Sequence, residues 1–180
     1  MMNAPIEVRR LSAGDAMRMQ TIVAMLPQPE WRGAEIPSLS YLARALADPD
    51  IYVFAAFEGK RPMGFVSAYR FSSLAKQCDL VYIYDVYVAA ADQDRGVGRR
   101  LMDRMIAECR QDGIAEAWFG TDLDNQAAQR LYVSAGSREP GEKYLQFEFD
   151  LAAASDKGKV TWLALYPPRL PRNASSRWVR

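Results

Sequence analysis

Histidine is missing from the 180-residue chain altogether. That absence excludes a Ser-His-Asp or Cys-His triad, HExxH zinc chemistry and a histidine phosphorelay. Any general base must be a carboxylate, Tyr, Cys, Lys or a water held by one of them. Cysteine is scarce as well: Cys78 and Cys109 are too few for a disulfide framework or a zinc site. No metal is expected, and two free thiols suit a reducing compartment. Long apolar runs are lacking, since stretches such as Ile51–Phe57 fall far short of a membrane span. The opening MMNAPIEVRRLSAGD has none of the basic-then-apolar pattern of a secretory signal. The expectation is a cytoplasmic protein that does not enter a membrane.

What is present is ordinary for a globular enzyme or binding domain. Hydrophobic residues make up 49% and charged residues 25% of the chain. The length predicts about one domain, which can bury roughly 70% of its unfolded surface. The net charge of +1 hides an asymmetry. Residues 152–180 carry six basic side chains (Lys157, Lys159, Arg169, Arg172, Arg177, Arg180) against Asp156, which leaves residues 1–151 at −4. An acidic body argues against a nucleic-acid partner and suits a cationic small molecule. The predicted organisation is therefore a catalytic or binding domain over 1–151 and a basic extension over 152–180. Within the extension, Val160–Tyr166 has the composition of one extra strand before Pro167-Pro168 stops it.

Periodicity predicts the order βααβββαβαβ. Ile6–Leu11 reads as a strand, Ala16–Leu26 as a helix and Leu39–Ala47 as a second helix capped by Ser38. Pro27–Pro37 between them reads as a loop. Ile51–Phe57 and Met63–Tyr69 form a hairpin, followed by a strand over Asp79–Val88. Leu101, Met102, Met105, Ile106 and Cys109 recur at helical spacing, giving a helix over Val97–Gln111. Ile114–Phe119 is a strand, Asn125–Ala135 a helix and Tyr144–Leu151 a last strand. A strand–helix–strand crossover near the centre demands a locally parallel pair inside a mixed, mostly antiparallel α/β sheet.

The chemically informative segment is Gln93-Asp94-Arg95-Gly96-Val97-Gly98-Arg99-Arg100, between a strand and a helix. Two nearby glycines let backbone pass close to a ligand. Unpaired N–H groups and the positive end of the dipole make a helix start a phosphate cradle. Arg95, Arg99 and Arg100 add charge. No Gly-Lys-Ser/Thr follows and GxGxxG is absent, so neither a Walker loop nor a dinucleotide fingerprint is present. The bland alternative is a glycine turn with surface arginines.

Gln93-x-x-Gly96-x-Gly98 resembles the acyl-CoA-binding motif of the GNAT superfamily of N-acetyltransferases. Downstream, Asp124-Asn125-x-x-Ala128-x-x-Leu131-Tyr132-x-x-x-Gly136 resembles that family's second signature. The likeness covers about residues 5–151. It implies a GNAT fold with about four helices flanking the sheet and a parallel strand pair that splays apart. Tyr82-Ile83-Tyr84-Asp85-Val86-Tyr87-Val88 further resembles small aminoglycoside 3-N-acetyltransferases of the gentamicin type. Asn125-Gln126, where that group can carry Asp-Pro, is a departure from the narrower pattern.

The resemblance implies acetyl-CoA as cosubstrate. Its pantetheine would pair with backbone at Val86, Tyr87 and Val88. Its pyrophosphate would sit on the turn formed by Gln93, Asp94, Arg95, Gly96, Val97, Gly98, Arg99 and Arg100. Asn125, Ala128 and Tyr132 fall at the second cofactor signature. A backbone N–H at Val86 or Tyr87 would stabilise an oxyanion. Tyr132 matches the tyrosine that protonates the departing thiolate, the alternative being an aromatic that packs its helix onto the sheet.

With histidine absent, Asp85 is the candidate to bind an ammonium and take its proton, directly or through water; an arginine pair is its bland alternative. Tyr84, Asp85, Asp122, Asp124 and Glu142 are candidate acceptor contacts. Glu30, Trp31, Glu35 and Tyr41 fall where the family has its acceptor lid. The expected acceptor is a cationic aminoglycoside, and the expected assembly a homodimer. Alternatives are a polyamine, amino acid or protein amino terminus as acceptor, or a non-catalytic acyl-CoA-binding module.

Overall fold

The computed structural model describes residues 5–25 and 36–138. The loop residues Glu30, Trp31 and Glu35, the acid Glu142, the expected strand Tyr144–Leu151 and the basic extension lie outside the described residues.

Strands β1 (Ile6–Arg10), β2 (Ile51–Glu58), β3 (Arg61–Ser73), β4 (Cys78–Val88) and β5 (Glu116–Trp118) form one sheet in that spatial order. Neighbours are antiparallel except β4 and β5, which are parallel. Helices α1 (Ala16–Met25) and α2 (Leu39–Ala47) connect β1 to β2. Helix α3 (Val97–Gln111) makes the crossover that a parallel pair requires, and α4 (Gln126–Ser134) follows β5.

Local chemistry accounts for the helix limits. Ser38 Oγ accepts the Tyr41 N–H at 3.2 Å, capping α2, and Asp48-Pro49 ends it. Helix α3 stops at Asp112-Gly113, where Gly113 takes φ +71°. Asn125 Oδ1 accepts the Ala128 N–H at 3.1 Å and caps α4.

Alternation along the strands supplies two cores. Tyr52, Phe54, Val66, Ala68, Val81 and Ile83 face α3, packing on Leu101, Met102 and Met105. Val53, Ala55, Phe57 and Phe65 face α1 and α2, packing on Met19, Ile22, Leu42 and Leu46. Each fully buried aliphatic or aromatic side chain contributes about 1.5–3 kcal/mol.

Two strands depart from their expected limits by more than one residue. β3 runs to Ser73 instead of Tyr69, because its ladder with β4 continues to Ser73 opposite Cys78. β5 shrinks to three residues because only Glu116, Ala117 and Trp118 find partners, in Leu80, Val81 and Tyr82. Both outcomes depend on cross-strand pairing, which local composition does not encode.

Candidate functional site

Strand β4 changes character part-way along. Ser67 pairs with Asp85 but Ala68 pairs with Ile83, so Tyr84 is an extra residue, a β-bulge. The parallel ladder with β5 ends at Tyr82. From Ile83 to Val88, β4 therefore has a strand partner only on its β3 side among the described residues. The expected parallel pairing of β4 with β5 is present, and its ladder stops at Tyr82 and Trp118. Val86, Tyr87 and Val88, all half-buried, lie opposite Val66, Phe65 and Gly64 along this stretch. A Cβ on Gly64 would meet the Tyr87 carbonyl oxygen at 2.3 Å and the Val88 Cα at 3.1 Å. Glycine is what allows β3 to lie so close there.

Asp85 is half-buried beside the bulge and accepts a hydrogen bond from Ser67 Oγ at 2.5 Å. Ser67 is itself buried. Sequence reasoning missed this hydroxyl. Its one signal was a polar residue inside the apolar run Met63–Ala68. Tyr84 is 67% exposed.

At the far end of β4 a short turn, Ala90–Asp92, leads into the glycine segment. Asp94 and Gly96 take φ +59° and +76°. A Cβ added at Gly96 would meet nothing within 4 Å, so the space beside it is open. At Gly98 a Cβ would lie 3.1 Å from Leu131, so this glycine serves the packing of α3 on α4. Val97 is buried and anchors the helix start. The first-turn N–H groups of Val97, Gly98 and Arg99 have no residue four positions back inside the helix. The Arg100 N–H, expected among the cradle's donors, is instead bonded to the Gly96 carbonyl at 3.1 Å.

Two of the turn's three arginines also have acidic partners within the protein. Arg95 donates to Asp92 at 2.5 Å and Glu58 at 2.6 Å. Arg61, in the β2–β3 hairpin, donates to the same acids at 2.6 and 2.7 Å. These four charges cancel and clip the glycine turn to the hairpin. The guanidinium of Arg61, then burial in opposition, then Arg95 leave the Asp92 carboxyl below its usual range. Arg99 pairs with Asp103 at 2.7 Å and bonds the Ser134 carbonyl. Of the three arginines, Arg100 alone has no acidic partner among the described residues, and it is exposed. Gln93 is exposed, its amide 3.5 Å from the Val88 carbonyl oxygen.

Tyr132 is buried on α4, its ring 4.2 Å from that of Phe119. Burial, and then the Tyr82 hydroxyl, push its phenol above the usual value. Asn125 and Ala128, expected at the cofactor, have local duties. Asn125 Oδ1 caps α4, and Ala128 packs against the α3-side core. Asp122 and Asp124 are exposed in the turn before α4, where their backbone carbonyls accept from Asn125 and Gln126. Cys109 is buried and its thiol pushed up to about 11, first by burial and then by Asp112, which suits a passive core residue. Among the described residues no cluster of three or more metal-ligating side chains occurs.

Residues 19–136 match the family model described as acetyltransferase (GNAT) family. Over 74 residues the chain is 36% identical to N-alpha-acetyltransferase 40 of Saccharomyces cerevisiae, covering 34% of this chain and 25% of that protein. Over 93 residues it is 28% identical to the ribosomal protein bS18 alanine N-acetyltransferase of Escherichia coli, covering 48% and 62%. The chain thus spans between a quarter and about three-fifths of these curated relatives. Its fold is similar to an aminoglycoside acetyltransferase from an uncultured soil metagenomic sample solved with sisomicin. There the TM-score is 0.73 at 22% identity, covering 81% of this chain and 96% of that one. It is similar also to an aminoglycoside N-acetyltransferase solved with CoA, with TM-score 0.67 at 16% identity, covering 82% and 97%.

Proposed function

Because the chain belongs to the GNAT acetyltransferase family, we propose that it moves an acetyl group from acetyl-CoA to an amino group of an aminoglycoside. The 3-amino group is the favoured position, on the likeness of Tyr82–Val88. Acetyl-CoA would supply the activated acyl group as a thioester. The residues at the glycine turn fit its phosphates: open space at Gly96, outward amides at Val97, Gly98 and Arg99, and the uncommitted Arg100. Val86–Val88 would pair with its pantetheine in the manner of an added strand.

The observation that carries the reading is Asp85, a half-buried carboxylate at a bulge where β4 parts from β5. A reacting amine must lose its proton, and this carboxylate holds an ammonium and accepts that proton directly or through water. The Ser67 hydroxyl fixes the carboxylate's orientation. The N–H of Val86 or Tyr87 faces developing negative charge on the carbonyl oxygen. Tyr132, kept neutral by burial, holds a proton for the departing sulfur. An aminoglycoside acceptor is supported by the −4 charge of residues 1–151 and by aminoglycoside acetyltransferases among the fold neighbours.

A second reading, transfer to a protein amino terminus, is favoured by the names of the curated relatives. Thiol release from acetyl-CoA with gentamicin, spermidine and a peptide as alternative acceptors separates the two. Saturable turnover with gentamicin is the expected result. Turnover with the peptide alone establishes the second reading. CoA binding without turnover on any amine leaves a non-catalytic module.

A further inference from the structure

Among the described residues, the face of the sheet that carries Asp85 is covered by α1 and α2 at one end only. Along β3 the residues on this face are Phe65, Ser67, Tyr69 and Phe71. Phe65 is buried under the helices and Ser67 holds Asp85, whereas Tyr69 and Phe71 are 42% and 40% exposed. Exposed aromatics in the middle of a sheet give up burial that an aliphatic pair under a helix would gain.

Three tyrosine rings at this spot are organised. Tyr69 and Tyr84 stand edge-to-face, centroids 5.8 Å apart and planes at 85°. Tyr82 meets Tyr84 at 6.2 Å. Tyr84 is the inserted residue of the bulge, so the irregularity that sets Asp85 opposite Ser67 also sets this ring against Tyr69. Burial raises the Tyr69 phenol above its usual value, and the Asp85 carboxylate, then the hydroxyls of Tyr41 and Tyr84, raise it further. The negative group among these neighbours is the Asp85 carboxylate, and a carboxylate beside the rings favours a cation there.

We propose that the rings of Tyr69 and Tyr84, together with the Asp85 carboxylate, form an ammonium subsite that selects cationic amine acceptors through cation–π contact. This rests on the acetyl-transfer reading for its purpose, since the ammonium held there is the acceptor's own. The ring faces supply attraction that needs no N–H donor, and Asp85 supplies the charge. Tyr69 is thereby a specificity-determining residue, separate from cofactor binding.

Tetramethylammonium, a cation with no N–H, is the direct probe. Titrated into the full chain with isotope-labelled tyrosine, it shifts the Tyr69 and Tyr84 ring resonances saturably. The response disappears in Y69L and in Y84L. In steady state with gentamicin, Y69L raises the acceptor KM about 2- to 30-fold and leaves the acetyl-CoA KM alone, while Y69F restores most of the loss. A Y69L acceptor KM equal to wild type overturns the subsite. So does Y69F as impaired as Y69L, which would assign the effect to the hydroxyl. If wild type acetylates no amine yet tetramethylammonium still shifts both rings, the function reading falls and the subsite stands.

Discussion

The two halves of β4 are continuous in sequence and opposite in role. From Cys78 to Ile83 the strand is laddered to β3, with β5 on its other side at Leu80–Tyr82, and it buries Leu80, Val81 and Ile83. From Tyr84 to Val88 it is bulged, laddered on one side and only partly buried. The first half has strands on both edges and packs Val81 and Ile83 into the core under α3. The second has no strand on its other edge among the described residues, and it holds a half-buried carboxylate. Rigidity next to an opening is what a positioned reactive group requires. The comparison teaches that a buried ladder and a bulged, half-buried polar stretch can follow one another along a single strand.

Exchanging Asp85 for Asn breaks the second half alone. The amide still accepts from Ser67 but takes no proton. Turnover should fall about 10²- to 10⁴-fold with the melting temperature unchanged. Undiminished turnover in a thiol-release assay removes Asp85 from the chemistry. Leu80→Ala is the opposite test. Its cavity should cost about 2–5 kcal/mol in denaturant unfolding, while turnover per folded molecule stays at the wild-type value. Next in size is Gly64→Ala, which acts where the halves share a wall. Its methyl must push the Tyr87 carbonyl away, costing about 1–3 kcal/mol. The acetyl-CoA KM should rise with it. A stability loss with unchanged KM would detach Val86–Val88 from cofactor binding.

The smallest effect concerns the ionic clip that extends the second half into the glycine turn. Arg61, opposed by burial and helped by Arg95, depresses the Asp92 carboxyl; Arg61 and then Arg95 depress that of Glu58. A depressed folded-state value means stability that is present at neutral pH and lost as pH falls below about 4. R61A should therefore melt below wild type at pH 7, the gap narrowing below about pH 4. A gap independent of pH would show that the pairs contribute nothing.

Local signals in the sequence were enough for α2 and α3. Ser38 before an amphipathic run, and Leu101, Met102, Met105 and Cys109 at helical spacing, act within one turn of chain, so both helices fall on the expected residues. The glycine turn was legible for the same reason: a positive φ at Gly96 is a property of that residue and its neighbours. The arginines around it were not. The pairing of Arg95 with Glu58, 37 residues away, exists only through folding, whereas Asp92, three residues before it, was a local partner the sequence did offer. Asn125 showed the converse. Its side chain is spent locally on the α4 cap, which its position before a helix already signalled.

By itself, then, the sequence determined which residue types were available: no imidazole, the Asp85 carboxylate inside an aromatic strand, and a glycine turn opening a helix. It also determined where most elements begin and end, because caps, periodicity and backbone preference are short-range. Only the tertiary structure decided that β4 bulges at Tyr84, that Ser67 meets Asp85, that β5 parts after Tyr82 and that Arg100 is the uncommitted cation. Those outcomes depend on register and pairing between segments distant in the chain, whose energies exist only once the segments are packed together.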